Sequence, residues 1–519
     1  MTEPDSAAAM PGVPATRRSG ARNMLTVMGG TLASRILGLA RQTIFNHLFS
    51  THITDAFNVA YRVPNLFREL LAEGALTNSI IPVYKGLPAS ERRDFANAAA
   101  GALVAANLVV VGLGILLAPW VIGLRMASNS NVDYALTVHI TRIIWPFLTG
   151  ISFSALAMAL LNAEERFSAT SFSPLAFSVV SIIGFLLFPQ NATALAVVTA
   201  LGGFAQFLVQ APSLRRYGLL FRPRLAWTPA LTRAVTLMLP FSFTTGTREF
   251  LAIVLSTLLT GFPAATVTGF NNADAIFQLG LGVFAVSPAL AAYPRLAEYA
   301  ARQDWDGFRE TVLSNLRLVL FLCAPVAAIM FTLAPSVVSA LYDWGRQGLG
   351  ADKYHYTLLA LPPLALAIVP WGINQFMVRT FYVRQRTMEA IAINASGFLI
   401  NTALYFVLAK SGFVAMNYAT TATGWAMVSV YVYLLHRQVP LPIARLALFL
   451  VQVAIAASLG GLAAYGLDVI LPGGHAARGA IRAVLHLSVA GGAGLIVYLG
   501  VATTLRVPEL AALRRRLIR

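Results

Sequence analysis

Seven charged residues lie within the first two strongly apolar segments of the chain: Arg35, Arg41, Asp55, Arg62, Arg68, Glu69 and Glu73. An ionised side chain at mid-bilayer costs roughly 2.5 to 3.5 kcal/mol on insertion scales. We therefore expect these side chains to face a shared aqueous or protein interior. Arginine grips phosphate through two parallel hydrogen bonds and stays charged when desolvated. Because the arginines outnumber the acids, the cluster predicts a receptor for an anion.

The same residues allow a second interpretation, in which the charges pair with one another and only hold the helices together. Arg68 with Glu73 and Asp55 with Arg62 are the pairs that this interpretation predicts. Pairing of this kind is usual for charged residues inside membrane bundles.

Composition indicates an all-α polytopic membrane protein. Of its 519 residues, 57% are apolar and 11% are charged, whereas soluble domains have about 25% charged residues. The net charge of +17 follows the loops between apolar runs, so membrane topology explains it better than nucleic-acid binding. Cys323 is the single cysteine, which excludes a disulfide framework. We find no catalytic motif, metal site or cofactor motif and expect no enzymatic activity.

Segment lengths predict about fourteen transmembrane helices, since about 20 residues span the hydrocarbon core. The predicted spans are 24–48, 54–86, 94–124, 133–162, 169–188, 193–213, 230–260, 266–298, 308–342, 354–383, 388–409, 414–436, 441–467 and 481–505. Residues 1–22 read as a disordered cytoplasmic tail. Arginine and lysine concentrate in alternate loops, which predicts that both termini are cytoplasmic.

An internal repeat divides the predicted helices. Residues 199–216 resemble residues 421–438, and weaker similarities share about the same offset of six helices. An even offset predicts two parallel lobes with a substrate site between them. We assign residues 23–225 to the N-lobe and 226–438 to the C-lobe. Residues 439–519 form two further helices and a basic tail.

Several segments together resemble the MurJ (MviN) family of lipid II flippases, in the multidrug/oligosaccharidyl-lipid/polysaccharide exporter superfamily. They include SRILGLAR, DAFNVAYRVPNLFRELLAEGA, NADAIFQLGLGVFAVS and RTFYVRQRT. The resemblance implies two six-helix lobes around a central cavity in the bacterial cytoplasmic (inner) membrane. It implies lipid II, the undecaprenyl-pyrophosphate-linked disaccharide pentapeptide, as substrate, with the lipid tail along the last two helices. Membrane lipids and the cell-wall synthesis machinery are the implied partners of a monomer.

The resemblance also assigns site residues. The family's cavity arginines fall on Arg35, Arg41 and Arg68, its helix-2 acid on Glu73, and the aspartate at the outer end of helix 2 on Asp55. Because a diphosphate needs converging positive charge, this assignment agrees with the interpretation from charge alone.

Four positions depart from the family pattern. The helix-8 motif tyrosine-alanine-aspartate-arginine reads Asn-Ala-Asp-Ala at 272–275, so a cavity arginine is replaced by Ala275. Gln42 and Leu255 replace an aspartate and a sodium-linked acidic or amide residue, and the DTKTP loop reads RTMEA at 386–390. We predict that Arg248 supplies the charge missing at Ala275; its alternative role is to pair with a local acid such as Glu249.

Other functions remain open at this stage. A diverged exporter of another polyprenyl-linked glycan or of a drug, or an inactive membrane scaffold, would also fit the predicted topology. Weaker candidates for the cavity or for a cation site are His139, Arg142, Asn394 and Asn401, each with a plain structural alternative.

Overall fold

The computed structural model describes residues 15–71, 75–344, 348–473 and 479–510. All regular secondary structure within these residues is helical. The first half of the chain contains α1 (Ala15–Leu48), α2 (Thr51–Leu71), α3 (Ala75–Gly86), α4 (Ala89–Arg125), α5 (Tyr134–Ile144), α6 (Phe147–Ala163), α7 (Phe167–Leu187) and α8 (Ala192–Arg216).

The second half begins with α9 (Pro229–Leu259), α10 (Thr266–Leu281), the π-helical turn π1 (Gly282–Val286) and α11 (Ser287–Ala301). It continues with α12 (Trp305–Thr332), α13 (Ala334–Tyr342), α14 (Ala351–Val383), α15 (Thr387–Ala409), α16 (Phe413–Gln438), α17 (Ile443–Ile470) and α18 (Ala480–Thr504). The predicted fold class, an all-helical membrane protein, is confirmed.

Four of the predicted spans contain more than one helix. The span 133–162 breaks at Trp145 and Pro146, where a proline removes a backbone donor, and 308–342 breaks at Leu333. The span 266–298 is interrupted by π1, and 54–86 contains α2 and α3 on either side of residues 72–74, which lie outside the described residues. Within the described residues, nine helical segments are long and apolar enough to cross a membrane by themselves. The count of fourteen spans stays a prediction.

Most of the extensive helix contacts lie within one half of the chain, and α9 packs across the two halves. In the first half α6 and α7 pack on α8, and α1 packs on α7. In the second half α14 packs on α10, α12 and α16, while α9 contacts α2, α3 and α15. The predicted lobe boundary falls in the loop 217–228 between α8 and α9. The division into lobes stays a prediction.

Helices α17 and α18 pack tightly on each other and against α12 and α13. A Cβ added at Gly460 would lie 2.7 Å from the carbonyl oxygen of Gly494, and the reverse distance is also 2.7 Å. Small residues let membrane helices approach this closely, because packing rather than hydrophobicity drives their association.

Candidate functional site

Arg41 and Arg68 are the two predicted site arginines that the structure brings together. The guanidinium of Arg41, on α1, lies over the Phe177 ring of α7, 4.6 Å from its centroid. Its Nε is buried without a hydrogen-bond partner, and its charge is close enough to Arg68 for the two to repel. A donor left open beside a second cation is suited to an anion.

Arg68 is held in place by its neighbours on α2. Its Nε donates to Asn65 Oδ1 at 2.9 Å, and its guanidinium lies 3.3 Å from the Glu69 carboxylate. The pairing interpretation therefore applies to Arg68, but with Glu69. Glu73, the acid predicted for this role and for the site, lies outside the described residues.

Arg35 reaches the interrupted helix of the second half. Its side chain is exposed and lies against Gly282, the first residue of π1, where an added Cβ would be 2.1 Å from Arg35 Nη1. Glycine at this position lets the guanidinium approach the backbone. π-Helical turns are frequent at functional sites, but no contact joins Arg35 to Arg41, so their convergence stays a prediction.

Arg248 lies in α9, as the repeat predicts, but its side chain lies outside the described part of the structure. Ala275, whose missing charge Arg248 is predicted to supply, is exposed on α10. The replacement of one by the other stays a prediction.

Arg125, which the sequence pattern does not single out, is a buried cation. It donates to the Val59 carbonyl at 2.7 Å and to the Ser256 hydroxyl, so it links α2 and α4 to α9. Its charge and that of Arg62 repel each other. Neither guanidinium pairs with a carboxylate anywhere in the described ranges, and the predicted pair of Asp55 with Arg62 is not formed there.

Asp55 caps a helix of the opposite half. Its carboxylate accepts hydrogen bonds from the backbone amides of Ala265 at 2.6 Å and Thr268 at 3.0 Å, and from the Thr268 hydroxyl. These amides form the N-terminus of α10, whose own N-cap residue, Ala265, has no side chain able to cap and has a left-handed φ of 72°. A carboxylate satisfies the unpaired amides and the positive end of the helix dipole.

Asn272 forms an amide cluster between the halves. Its Oδ1 accepts from Gln42 at 3.1 Å and from Asn46 at 2.7 Å, and its Nδ2 donates to Thr357 at 3.3 Å. The hydroxyl of Tyr342 donates to its carbonyl at 3.2 Å. Gln42 and Asn272 are both departures from the family pattern, so two departures contact each other.

Lys353 is a further residue that sequence reasoning missed. It is buried, and its Nζ donates to the carbonyl of Asn46 at 2.9 Å and to that of Phe49, which end α1. A cation is stabilised at a helix C-terminus. The signal available in the sequence was a lysine at the start of a long apolar helix, next to one of the loops with few basic residues.

Contacts between loops also join the two halves. The amide of Ala127 donates to Thr260 Oγ1 at 3.0 Å, and Asn131 Nδ2 donates to the Phe262 carbonyl at 3.1 Å. All of these contacts lie at the end of the bundle that the loop charges predict to face outward, which we call the predicted outer end. The two halves are therefore joined at that end.

The weaker candidates have local partners. His139 bonds Thr193 at 2.9 Å, and Arg142 donates to the Ile115 carbonyl at 3.3 Å. Asn394 donates to Tyr431 Oη at 2.9 Å, and Asn401 accepts from Thr423 at 3.3 Å. These are contacts between helices of the same half.

Comparisons with known proteins agree on one family. The family described as "Lipid II flippase MurJ" matches residues 44–477. The lipid II flippase MurJ of Burkholderia cenocepacia is 30% identical over 74% of this chain and 77% of its own length. The probable lipid II flippase MurJ of Vibrio cholerae is 27% identical over 80% and 82%.

Solved structures show the same fold. A lipid II flippase MurJ in an inward closed conformation superimposes with a TM-score of 0.78 at 18% identity, over 95% of this chain and all of that one. An inward-facing multidrug resistance MATE family transporter gives 0.62 at 13% identity, over 77% and 93%. With the family match covering most of its length, this chain belongs to the lipid II flippase MurJ family.

Proposed function

We propose that this chain moves lipid II from the inner to the outer leaflet of the bacterial cytoplasmic membrane by alternating access. Curated relatives over about three quarters of the chain bear the name lipid II flippase. The alternation of basic and non-basic loops supports a multi-pass protein with both termini in the cytoplasm. We propose that it acts as a monomer and without an enzymatic step.

The observation that carries this proposal is the buried, unpartnered Nε of Arg41 beside Arg68. Two cations repel each other in the absence of substrate, and a diphosphate that lies between them stabilises both charges. We propose that Arg35 and Arg248 add to this site and that Glu73 borders it.

We propose that the contacts between the two halves at the predicted outer end form a gate, and that Asp55 is one of its residues. Its carboxylate already has donors on α10, so substrate contact would require the gate to open. Outward opening would break the contacts of Asp55, Asn272 and Lys353. Binding of the anion shifts the protein between states only by its difference in affinity for them. A membrane potential adds about 2.3 kcal/mol per charge per 100 mV and, negative inside, favours outward movement of an anionic headgroup.

The lobes and the tail helices complete the mechanism. We propose that residues 23–225 and 226–438 rock against each other, and that α17 and α18, within 439–519, hold the lipid tail. Their mutual glycine contact supports a rigid pair.

A depletion experiment tests the function. Cells that depend on this chain for flipping are depleted of it, and lipid II on the outer leaflet is measured. We expect the wild-type chain to restore outer-leaflet lipid II and Arg41→Gln to fail at equal expression. Full restoration by Arg41→Gln would contradict the proposed site, and no loss on depletion would contradict the function.

A second candidate, export of another polyprenyl-linked glycan, is favoured by one observation: the family's cavity arginine is replaced by Ala275. Purified protein in vesicles distinguishes the two, with lipid II and a polyprenyl diphosphate carrying an unrelated glycan as substrates. Flipping of the second alone would favour the exporter.

A further inference from the structure

A pocket of about 390 Å³ opens in the first half of the chain, at the end opposite the predicted outer end. It lies where the loops α3–α4, α6–α7 and α8–α9 meet. Its polar lining includes Arg92, Arg93, Arg166, Tyr84 and Tyr217. None of these residues belongs to the central arginine site.

Positive charge exceeds negative charge in this pocket. Glu164 is the one acid among its described lining residues, and it pairs with Arg92 at 3.3 Å. Arg93 and Arg166 have no carboxylate partner in the part of the chain that the structure describes. Two guanidinium groups are therefore available to an anion.

Aromatic rings orient two of the three arginines, Arg92 and Arg166. The guanidinium of Arg166 lies 4.4 Å from the centroid of Tyr217, and that of Arg92 lies 5.2 Å from the centroid of Tyr84. Contact with a ring face orients the planar group. The donors of Arg92 are already bonded to Leu87, Glu164 and Lys85, so Arg166 is the ring-oriented arginine with donors left for an anion. The pocket thus presents oriented donors.

The wall formed by the α8–α9 loop is fixed on α4. The amides of Arg222 and Arg224 donate to Asn97 Oδ1 at 2.6 Å and to the Asn97 carbonyl at 3.0 Å. Gly101 lies so close that an added Cβ would be 2.1 Å from the Arg224 carbonyl oxygen. The pocket is therefore preformed, and binding would not have to order this loop.

The same loop marks the depth of the pocket in the membrane. Leu225 is 81% exposed and Trp227 is 69% exposed, at the junction of the loop with α9. Tryptophan is enriched at the level of lipid headgroups. The pocket therefore opens beside headgroups, and basic groups near the cytoplasmic leaflet attract its anionic lipids.

We propose that this pocket binds the phosphate group of an anionic phospholipid of the inner leaflet, with Arg93 and Arg166 as its principal ligands. The phosphodiester lies between the two guanidinium groups, and the acyl chains extend past Leu225 and Trp227 into the bilayer. The site is separate from the central arginines, so its occupancy does not depend on lipid II.

Native mass spectrometry of the purified full-length protein tests this proposal. The protein is titrated with phosphatidylglycerol, with phosphatidylcholine and with inorganic phosphate. We expect the wild type to bind phosphatidylglycerol in preference to phosphatidylcholine. R93Q/R166Q should weaken this binding at least about tenfold, which corresponds to about 1.4 kcal/mol, because the variant loses hydrogen bonds made by charged groups.

Two control variants make the result specific. R222Q/R224Q removes the same charge from two side chains of the α8–α9 loop that do not line the pocket, and it should leave phosphatidylglycerol binding unchanged. R93K/R166K keeps the positive charge without the planar guanidinium, and it should retain part of the phosphatidylglycerol binding that R93Q/R166Q loses. Equal losses in R93Q/R166Q and R222Q/R224Q would overturn the proposal, as would unaltered binding in R93Q/R166Q.

The titration also identifies the source of the phosphate group. Weak or absent displacement of phosphatidylglycerol by millimolar inorganic phosphate supports a lipid ligand. Binding of inorganic phosphate without retention of phosphatidylglycerol would overturn the lipid assignment. Because the depletion experiment with Arg41→Gln tests the central site separately, failure of this proposal leaves the flippase proposal intact.

Discussion

Gln42 Nε2 donates to Asn272 Oδ1 across the two halves of the molecule, at 3.1 Å. The resemblance to the family places an aspartate at the first position and a tyrosine at the second. Here both are amides, and they contact each other directly. This contact closes the predicted outer end without burying a charge. Because the two replaced side chains bond each other, the two departures act together as one change.

Asn272→Leu should loosen the predicted outer end. The substitution leaves the donors of Gln42 and Asn46 without their acceptor, and each buried unpaired group costs about 1 to 3 kcal/mol. Ala56→Cys, at a buried position on α2, reports opening through its reaction with a membrane-impermeant maleimide. We expect labelling from outside to speed up about tenfold or more in Asn272→Leu. An unchanged rate would mean that the amide cluster does not hold the gate.

Asp55→Ala should have the same effect through a different contact, because α10 would lose its only described side-chain cap. Loss of an N-cap typically costs about 1 kcal/mol. Asparagine also caps helices, so Asp55→Asn should fall between Ala and the wild type in the maleimide assay. If Asp55→Ala instead leaves labelling unchanged but abolishes substrate binding, Asp55 is a ligand rather than a gate residue.

Gly282→Ala should impair the arginine site without unfolding the protein. The new methyl group would collide with the Arg35 guanidinium, whose Nη1 lies 2.1 Å from the Cβ position. We expect weaker complementation of a depleted strain at normal expression. Gly38→Ala is the matched control, since its Cβ would meet nothing within 4 Å. Equal growth of the two variants would mean that Arg35 does not contribute to the arginine site.

Gly494→Val should separate α17 from α18. The side chain would press on the Gly460 carbonyl, 2.7 Å from the Cβ position, and overpacking typically costs about 1 to 3 kcal/mol. Gly492→Val, two residues away in open space, should be neutral. The thermal unfolding midpoint of the purified variants measures the difference. A lower midpoint for Gly492→Val than for Gly494→Val would contradict the packing described for this pair.

Hydrophobic pattern predicted the helices well, since a membrane span requires a long apolar run. It did not predict the break at Trp145 or the π-helical turn at Gly282, because a run of apolar residues looks the same whether or not its helix is continuous. The association of Arg41 with Arg68 was predictable, since charges in apolar helices must share an interior.

The contacts that join the two halves at the predicted outer end were not predictable from residue types. Asp55 binds backbone amides more than two hundred residues away, and a backbone amide leaves no mark on the sequence. Asn272 and Gln42 were visible only as departures from a family pattern, and Lys353 only as a lysine at the start of a long apolar helix. Their role depends on how the two halves meet, which local sequence does not specify.

Binding of inorganic pyrophosphate and of lipid II to the purified protein is the sharpest test of a diphosphate site at Arg41. Arg41→Gln and Arg68→Gln are compared with Arg142→Gln, a membrane-helix arginine that bonds only the Ile115 carbonyl among described partners. We expect Arg41→Gln and Arg68→Gln to weaken the binding of both ligands by about tenfold or more, and Arg142→Gln to bind them as the wild type does. Undiminished affinity in Arg41→Gln, or an equal loss in Arg142→Gln, would contradict a diphosphate site at Arg41.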